Sequence, residues 1–162
     1  METKRAKSII LSLCLVTLIS FISTGCGDKD DPKPNKVSMK FTLTVTGANQ
    51  DDVVDFTIAA GNHDASQYGS PVWKVNGVSL GNETAVQLDE QNFAGSTKTY
   101  IVETIKPVDF GSMDVGYSNM TGGGPITISY KAEIGGNVET NVENLVVAVG
   151  QRQTKTFSYT AK

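Results

Sequence analysis

The chain has little of what most catalytic and metal sites are built from. Among 162 residues there is one histidine, His63, and there are two cysteines, Cys14 and Cys26. No cysteine follows position 26, so the bulk of the chain has no thiol for a disulfide, a metal or a nucleophilic attack. Such a domain relies on its packed core. Lysine and arginine number 14 against 17 acidic residues, and they are scattered. That excludes the clustered positive surface that phosphate backbones require, and nucleic acid with it. No apolar run reaches the ~20 residues of a membrane-spanning helix. No window carries a 3.6-residue hydrophobic period, and no segment repeats.

What is present starts with Lys4, Arg5 and Lys7, followed by an apolar stretch of 14 residues from Ile9 to Ile22. The small residues Ser23, Thr24 and Gly25 then lead to Cys26. A positive start, a short apolar core and a small-residue site make a secretory signal peptide over 1–25. This segment resembles the bacterial lipoprotein signal, in which a Cys after small residues is acylated and becomes the first residue of the mature chain. The resemblance implies that Cys26 is lipidated and that the membrane is a partner through that anchor. Each buried CH₂ contributes roughly 0.8 kcal/mol, so two or more acyl chains hold a protein durably. Gly27-Asp28-Lys29-Asp30-Asp31 resembles the short acidic tags that export some lipoproteins to the outer face of the outer membrane. The implied location is the cell surface of a Gram-negative bacterium.

The leader carries +2, from Lys4, Arg5 and Lys7 against Glu2, so the remaining 137 residues carry −5 rather than −3. That length suits one domain with a real core. Residues 26–36 form an acylated Cys and a Pro-containing, charged tether. The domain occupies 37–162. VSMKFTLTVT (37–46) alternates apolar and polar residues without error, as does PITISYKAEI (125–134), and VVDFTIAA (53–60) places Val54, Phe56 and Ile58 on one face. Asn76-Gly77 is a hairpin signal, because both residues tolerate positive φ. Residues 97–105 read as a strand buried on both faces, and 108–117 as a bulged strand or irregular crossing. Residues 89–96 read as loop. Short strands are expected at 84–88, 145–149 and 154–161.

About seven to nine short strands separated by turns predict an all-β sandwich, with a lipocalin-like barrel as the alternative. Val72 to Asn82, with Trp73, resembles the central strand of immunoglobulin-like domains.

Gly61-Asn62-His63-Asp64 resembles the Gly-Asn-His-acid motif of two-metal phosphoesterases. One imidazole cannot build a two-metal centre, so the motif reads as a solvated turn. Asp114 with Glu103 is a conceivable glycosidase pair, although no spacing brings the two together. Asp51, Asp52 and Asp55 could contribute to a Ca²⁺ site, but they read more simply as an acidic turn. No catalytic residue, metal ligand or cofactor is therefore assigned. Tyr68, His63 and Asp64 remain as candidate ligand-binding residues, and the loops 61–71, 89–96 and 118–125 as a candidate binding surface at one end of the sandwich. The expected function is a lipid-anchored, non-catalytic binding or adhesion module for a protein or glycan. The alternatives are an assembly subunit of an envelope complex and a carbohydrate-active enzyme.

Overall fold

The alternating segments form strands whose apolar positions all face one way. The computed structural model describes residues 35–120 and 123–161. The predicted signal peptide, Cys26 and most of the tether lie outside the described residues. In chain order the elements are β1 (Met39–Thr46), β2 (Val53–Gly61), β3 (Trp73–Val75), β4 (Val78–Ser79), β5 (Ala85–Leu88), a one-turn helix α1 (Glu90–Phe93), β6 (Lys98–Thr104), β7 (Phe110–Ser118), β8 (Ile126–Ile134), β9 (Asn137–Val147) and β10 (Arg152–Thr160). A 3-10 turn occupies Ala65–Gln67.

Two antiparallel sheets pack face to face. One has the order β4-β3-β6-β1-β8-β9 and the other β10-β7-β2-β5. Both are open, so the fold is a sandwich and the barrel alternative is overturned. Met39, Phe41, Leu43 and Val45 of β1 are buried against Val54, Phe56 and Ile58 of β2, Met113 and Val115 of β7, and Ile128 and Tyr130 of β8. Aromatic contacts tie the layers. Phe41 meets Trp73 edge-on at 6.1 Å and Tyr159 of the opposite sheet at 5.6 Å. Trp73 is buried, and its Nε1 donates to the Thr84 carbonyl at 3.0 Å, which satisfies the one polar atom of the ring.

Three segments differ from the sequence expectation. Residues 110–118 form a regular strand, paired without a break to β2 and β10. Its small outward residues, Gly111 on the inner side and an aromatic start disguise a plain alternation. A β-carbon on Gly111 would lie 2.5 Å from the Met39 sulfur and 3.1 Å from the Ala59 carbonyl, so glycine permits this close packing. Residues 98–104 bury one face only, since Thr99 and Ile101 lie on the outer side. Within 89–96, Asp89 caps α1 through a reciprocal capping box with Asn92, and Phe93 packs on Phe56 at 5.5 Å.

Tyr130 is 1% exposed, and its hydroxyl has no hydrogen-bond partner among the described residues. Burial pushes its pKa above the ordinary phenol value, with a smaller push from Tyr117. An unpartnered buried hydroxyl is destabilising, and removing it relieves the desolvation penalty. Tyr130→Phe is therefore expected to raise folding stability by about 1 kcal/mol, read as a higher urea midpoint. A loss of similar size would show that the hydroxyl has a partner in solution.

Each sheet edge carries a device against further pairing. β4 has two residues and β5 four. β9 is irregular in register at two places, and its Asn144 adopts φ 51°. β10 is regular, but Lys155 shares the core-facing parity of Phe157 and Tyr159, opposite Val115. Short edges, bulges and inward charges all discourage strand addition.

Candidate functional site

Strand directions define two ends of the sandwich. β1 leaves one end at Met39, and β2 returns to it at Gly61. Lys36, the loop 62–72, the connection 105–109 and the turn at Gly135-Gly136 share that proximal end. The loops 47–52 and 89–97, residues 119–120 and 123–125, and the turn 148–151 share the distal end. The three loops expected to form one surface are thus divided. Residues 61–71 lie proximally, because β2 carries the chain across the whole sandwich before that loop begins.

At the proximal end, Gly61-Asn62-His63-Asp64 closes the corner where the chain enters the fold. Val37 exchanges two backbone hydrogen bonds with Val108, each 2.9 Å. The His63 amide donates to Asp109 Oδ2 at 2.6 Å, and the Asp109 amide donates to the Gly61 carbonyl at 3.1 Å. Lys36 Nζ lies 4.0 Å from the buried Asp109 carboxylate and 3.8 Å from Asp64. The imidazole stands 5.3 Å from the Phe110 ring, which covers Gly61. The motif's backbone and acid thus serve a clamp. Among the described residues no group of three His, Cys, Asp or Glu could hold a metal ion.

Of the predicted ligand-binding residues, His63 packs on Phe110 and Asp64 pairs with Lys36. Tyr68 is 69% exposed beyond the 3-10 turn. The neighbouring cavity, between Asn62, Gln67, Pro71, Val72 and Lys106, holds about 10 Å³. That is the space of about one water molecule and no metabolite.

The proposed carboxylate pair is also separated. Asp114 lies on the outer face of the smaller sheet, where Thr156 bonds it. Glu103 lies on the outer face of the larger one, 3.1 Å from Lys74 and 3.8 Å from Lys40. The core stands between them. The acidic trio does not converge either. Asp51 is exposed, and Asp55 accepts from Thr57 and Gln87 on the outer face. Asp52 alone turns inward and is 2% exposed.

The distal end is the more organised of the two. Asp52 Oδ2 accepts from the Asn49 amide and Oδ1 from the Met120 amide, both at 2.9 Å. Asn119, fully buried, donates from Nδ2 to the carbonyls of Val147 at 2.7 Å and Gly124 at 3.1 Å. Its backbone meets Gln151 and Gly150. Loops from both sheets are thereby stapled together. Two open grooves flank this cluster, of about 450 and 410 Å³, and both are lined by Tyr117, Arg152 and Gln153. Leu145 and Val146 add apolar wall to the larger one. The Tyr117 hydroxyl donates to Gln153 at 2.6 Å, and burial raises its pKa.

Asn119-Met120-Thr121 matches the N-glycosylation acceptor pattern, which implies an exposed turn, but Asn119 is fully buried. Asp52 and Asn119 did carry a signal. Each continues the inward parity of its strand, 52-54-56-58 and 113-115-117-119, where an apolar residue is the rule.

No protein-family model and no curated protein matches the sequence. Solved structures do match in fold. A protein of the DUF4425 family from Bacteroides ovatus superimposes with TM-score 0.51 at 16% identity, over 77% of this chain and 95% of that one. A DUF4425 domain of unknown function from Bacteroides vulgatus gives TM-score 0.51 at 16% identity, over 78% and 96%. The calcium-bound form of a protein from Parabacteroides distasonis gives TM-score 0.59 at 16% identity, over 82% and 99%. This chain therefore shares the β-rich fold of those Bacteroidetes proteins across nearly their whole length.

Proposed function

We propose that the chain is a lipid-anchored binding module of the cell envelope, held at the outer membrane through Cys26 and displayed at the surface of a Gram-negative bacterium. The observation that carries this reading is the polarity of the sandwich. The chain reaches the fold at Lys36 on one end, and the stapled loops with their grooves lie at the other. A tether of about ten residues, spanning at most ~35 Å when extended, would join the proposed anchor to the proximal end. The buried Trp73 on β3 supports the immunoglobulin-like reading of the sandwich. The four blunted edges favour a module that binds through its loops over an assembly subunit that adds strands. Asp114 and Glu103 lie on the outer faces of different sheets and so do not form a glycosidase pair.

The test is a pull-down from the native envelope, with membrane fractionation, comparing wild type and Cys26→Ser. Wild type is expected in the outer-membrane fraction and Cys26→Ser in the soluble fraction. Retention of the serine variant at wild-type levels would sink the anchor. Envelope proteins or glycans recovered by wild type and lost in Arg152→Glu would support the distal surface.

A second reading is calcium binding. It is favoured by the calcium-bound fold neighbour together with the buried carboxylate of Asp52, which makes no ion pair among the described residues. Calcium would stabilise or order the distal loops and need not take part in any reaction.

A further inference from the structure

We infer that the larger distal groove takes a carboxylated sugar unit of an acidic glycan, with Arg152 on the carboxylate. This rests on the binding-module reading and names the class of ligand for its distal surface. The groove holds about 450 Å³, within the range of ligand sites. It lies where β9 turns into β10, and it is open, so an internal unit of a chain can lie in it.

Its chemistry is one-sided. Among the described residues that line it, Arg152 is the only charged one. Glu143, the nearest acid along the chain, accepts a hydrogen bond from Asn141. Arg152 is exposed and makes no ion pair among the described residues. The chain from Cys26 onward carries −5, so an acid-free wall around an unpaired guanidinium runs against the composition. A third distal groove, beside Gln50 and Gln91, is lined by Glu90 and lacks that character.

The two glutamines that flank Arg152 also line the groove, and both are held by their oxygens. Gln153 Oε1 accepts from the Tyr117 hydroxyl at 2.6 Å, and Gln151 Oε1 accepts from the Ala148 amide at 2.8 Å. That leaves each Nε2 as a donor without a partner among the described residues. Three successive residues thus present N–H groups, and the ligand that matches them is rich in acceptors. A carboxylate takes two parallel bonds from a guanidinium. Hydroxyl and ring oxygens accept from the amides. Leu145 and Val146 supply apolar wall for the C–H face of a sugar ring. A peptide strand brings as many N–H donors as carbonyls and would leave its own donors unmet.

The turn that carries these donors is already fixed. The Gln151 amide donates to the Ala148 carbonyl at 3.0 Å. Fully buried Asn119 holds the same turn, accepting from Gly150 at 2.8 Å and donating to Gln151 at 3.0 Å. A preset site loses less entropy on binding.

The experiment titrates oligomers of galacturonate, glucuronate and mannuronate into residues 26–162 carrying Cys26→Ser, followed by calorimetry and by backbone amide NMR. The amides from Gly150 to Gln153 are expected to shift with at least one oligomer. Its methyl ester, which lacks only the charge, is expected to bind at least about tenfold more weakly. Arg152→Lys keeps the charge without the fork and is expected to weaken binding several-fold. Gln153→Glu keeps an acceptor for Tyr117 but sets a carboxylate in the groove, and is expected to abolish binding. Both positions are exposed, so both variants are expected to keep the wild-type urea midpoint.

The inference is overturned if no oligomer shifts those amides, if the ester binds as well as the acid, or if a polyglutamate peptide binds more tightly than every oligomer. If the envelope pull-down still depends on Arg152 in that case, the binding-module reading stands and the ligand class is wrong. If Arg152→Glu retains every partner that wild type recovers, the distal surface itself fails.

Discussion

Phe41→Ala is expected to lower folding stability by about 3–5 kcal/mol. Phe41 is completely buried on β1, the strand that β6 and β8 flank in the larger sheet. Truncation removes the transfer free energy of the ring and leaves a cavity that a close-packed core fills only in part. It also removes two edge-on contacts, with Trp73 and with Tyr159. Aromatic pairs contribute about 0.5–1.5 kcal/mol each beyond area burial. Tyr159 belongs to β10, so the same ring joins the two sheets. Set against the usual stability of about 5–15 kcal/mol, the loss is about a fifth of the total or more. A urea titration reads it as a lower midpoint at unchanged slope. Val53→Ala, at a 46% exposed position, is the matched control and is expected to change stability by less than about 0.5 kcal/mol. A Phe41→Ala loss below about 1 kcal/mol would mean that the core collapses into the space.

Lys155→Val is expected to promote self-association through the β10 edge. β10 is nine residues long and fully regular, with its outer backbone groups free of strand partners among the described residues. A row of unpaired amides and carbonyls is a template for another strand. What opposes pairing is one ammonium group on the core-facing parity, which a docking strand would have to desolvate. Valine at 155 completes an apolar row with Phe157 and Tyr159 and raises β-propensity as well. The expected contact is weak, with Kd between about 1 mM and 1 µM, or about −4 to −8 kcal/mol. Sedimentation velocity over that range is expected to show one species for wild type and a concentration-dependent shift for the variant. Lys155→Glu keeps a charge at the edge and is expected to remain monomeric. If both variants stay monomeric, the bulged neighbour β9 is the effective guard and Lys155 is dispensable.

Most of the fold was legible because its central strands obey period two. In β1, β2 and β8 every second residue is apolar, and one face is fully buried. The edges were harder. β9 was expected only at 145–149 but begins at Asn137, because a strand with one solvated side and two register shifts has no need to alternate. Gly111, Gly116 and the polar outer face of β7 hid a regular strand in the same way. The site was less legible than the fold. Gly61-Asn62-His63-Asp64 stood out by composition, yet its partners, Lys36 and Asp109, come from distant parts of the chain. Asp52 and Asn119 looked like turn residues. Only the pairing of β2 with β7, in which Val53 faces Ser118, brings their stretches of the chain to the same end.

The central position of β1 has a mechanical consequence. A load applied at Lys36 and resisted at the distal loops runs along the strands. β1 would then be pulled lengthwise out of its place between β6 and β8, against six and eight residue pairs loaded at once. Shearing many hydrogen bonds together is far slower than peeling them one at a time, and rupture under force is governed by that unfolding rate. A first strand at a sheet edge would peel. With the chain entering through the middle of the larger sheet, the domain is built to bear tension applied between Lys36 and the distal loops.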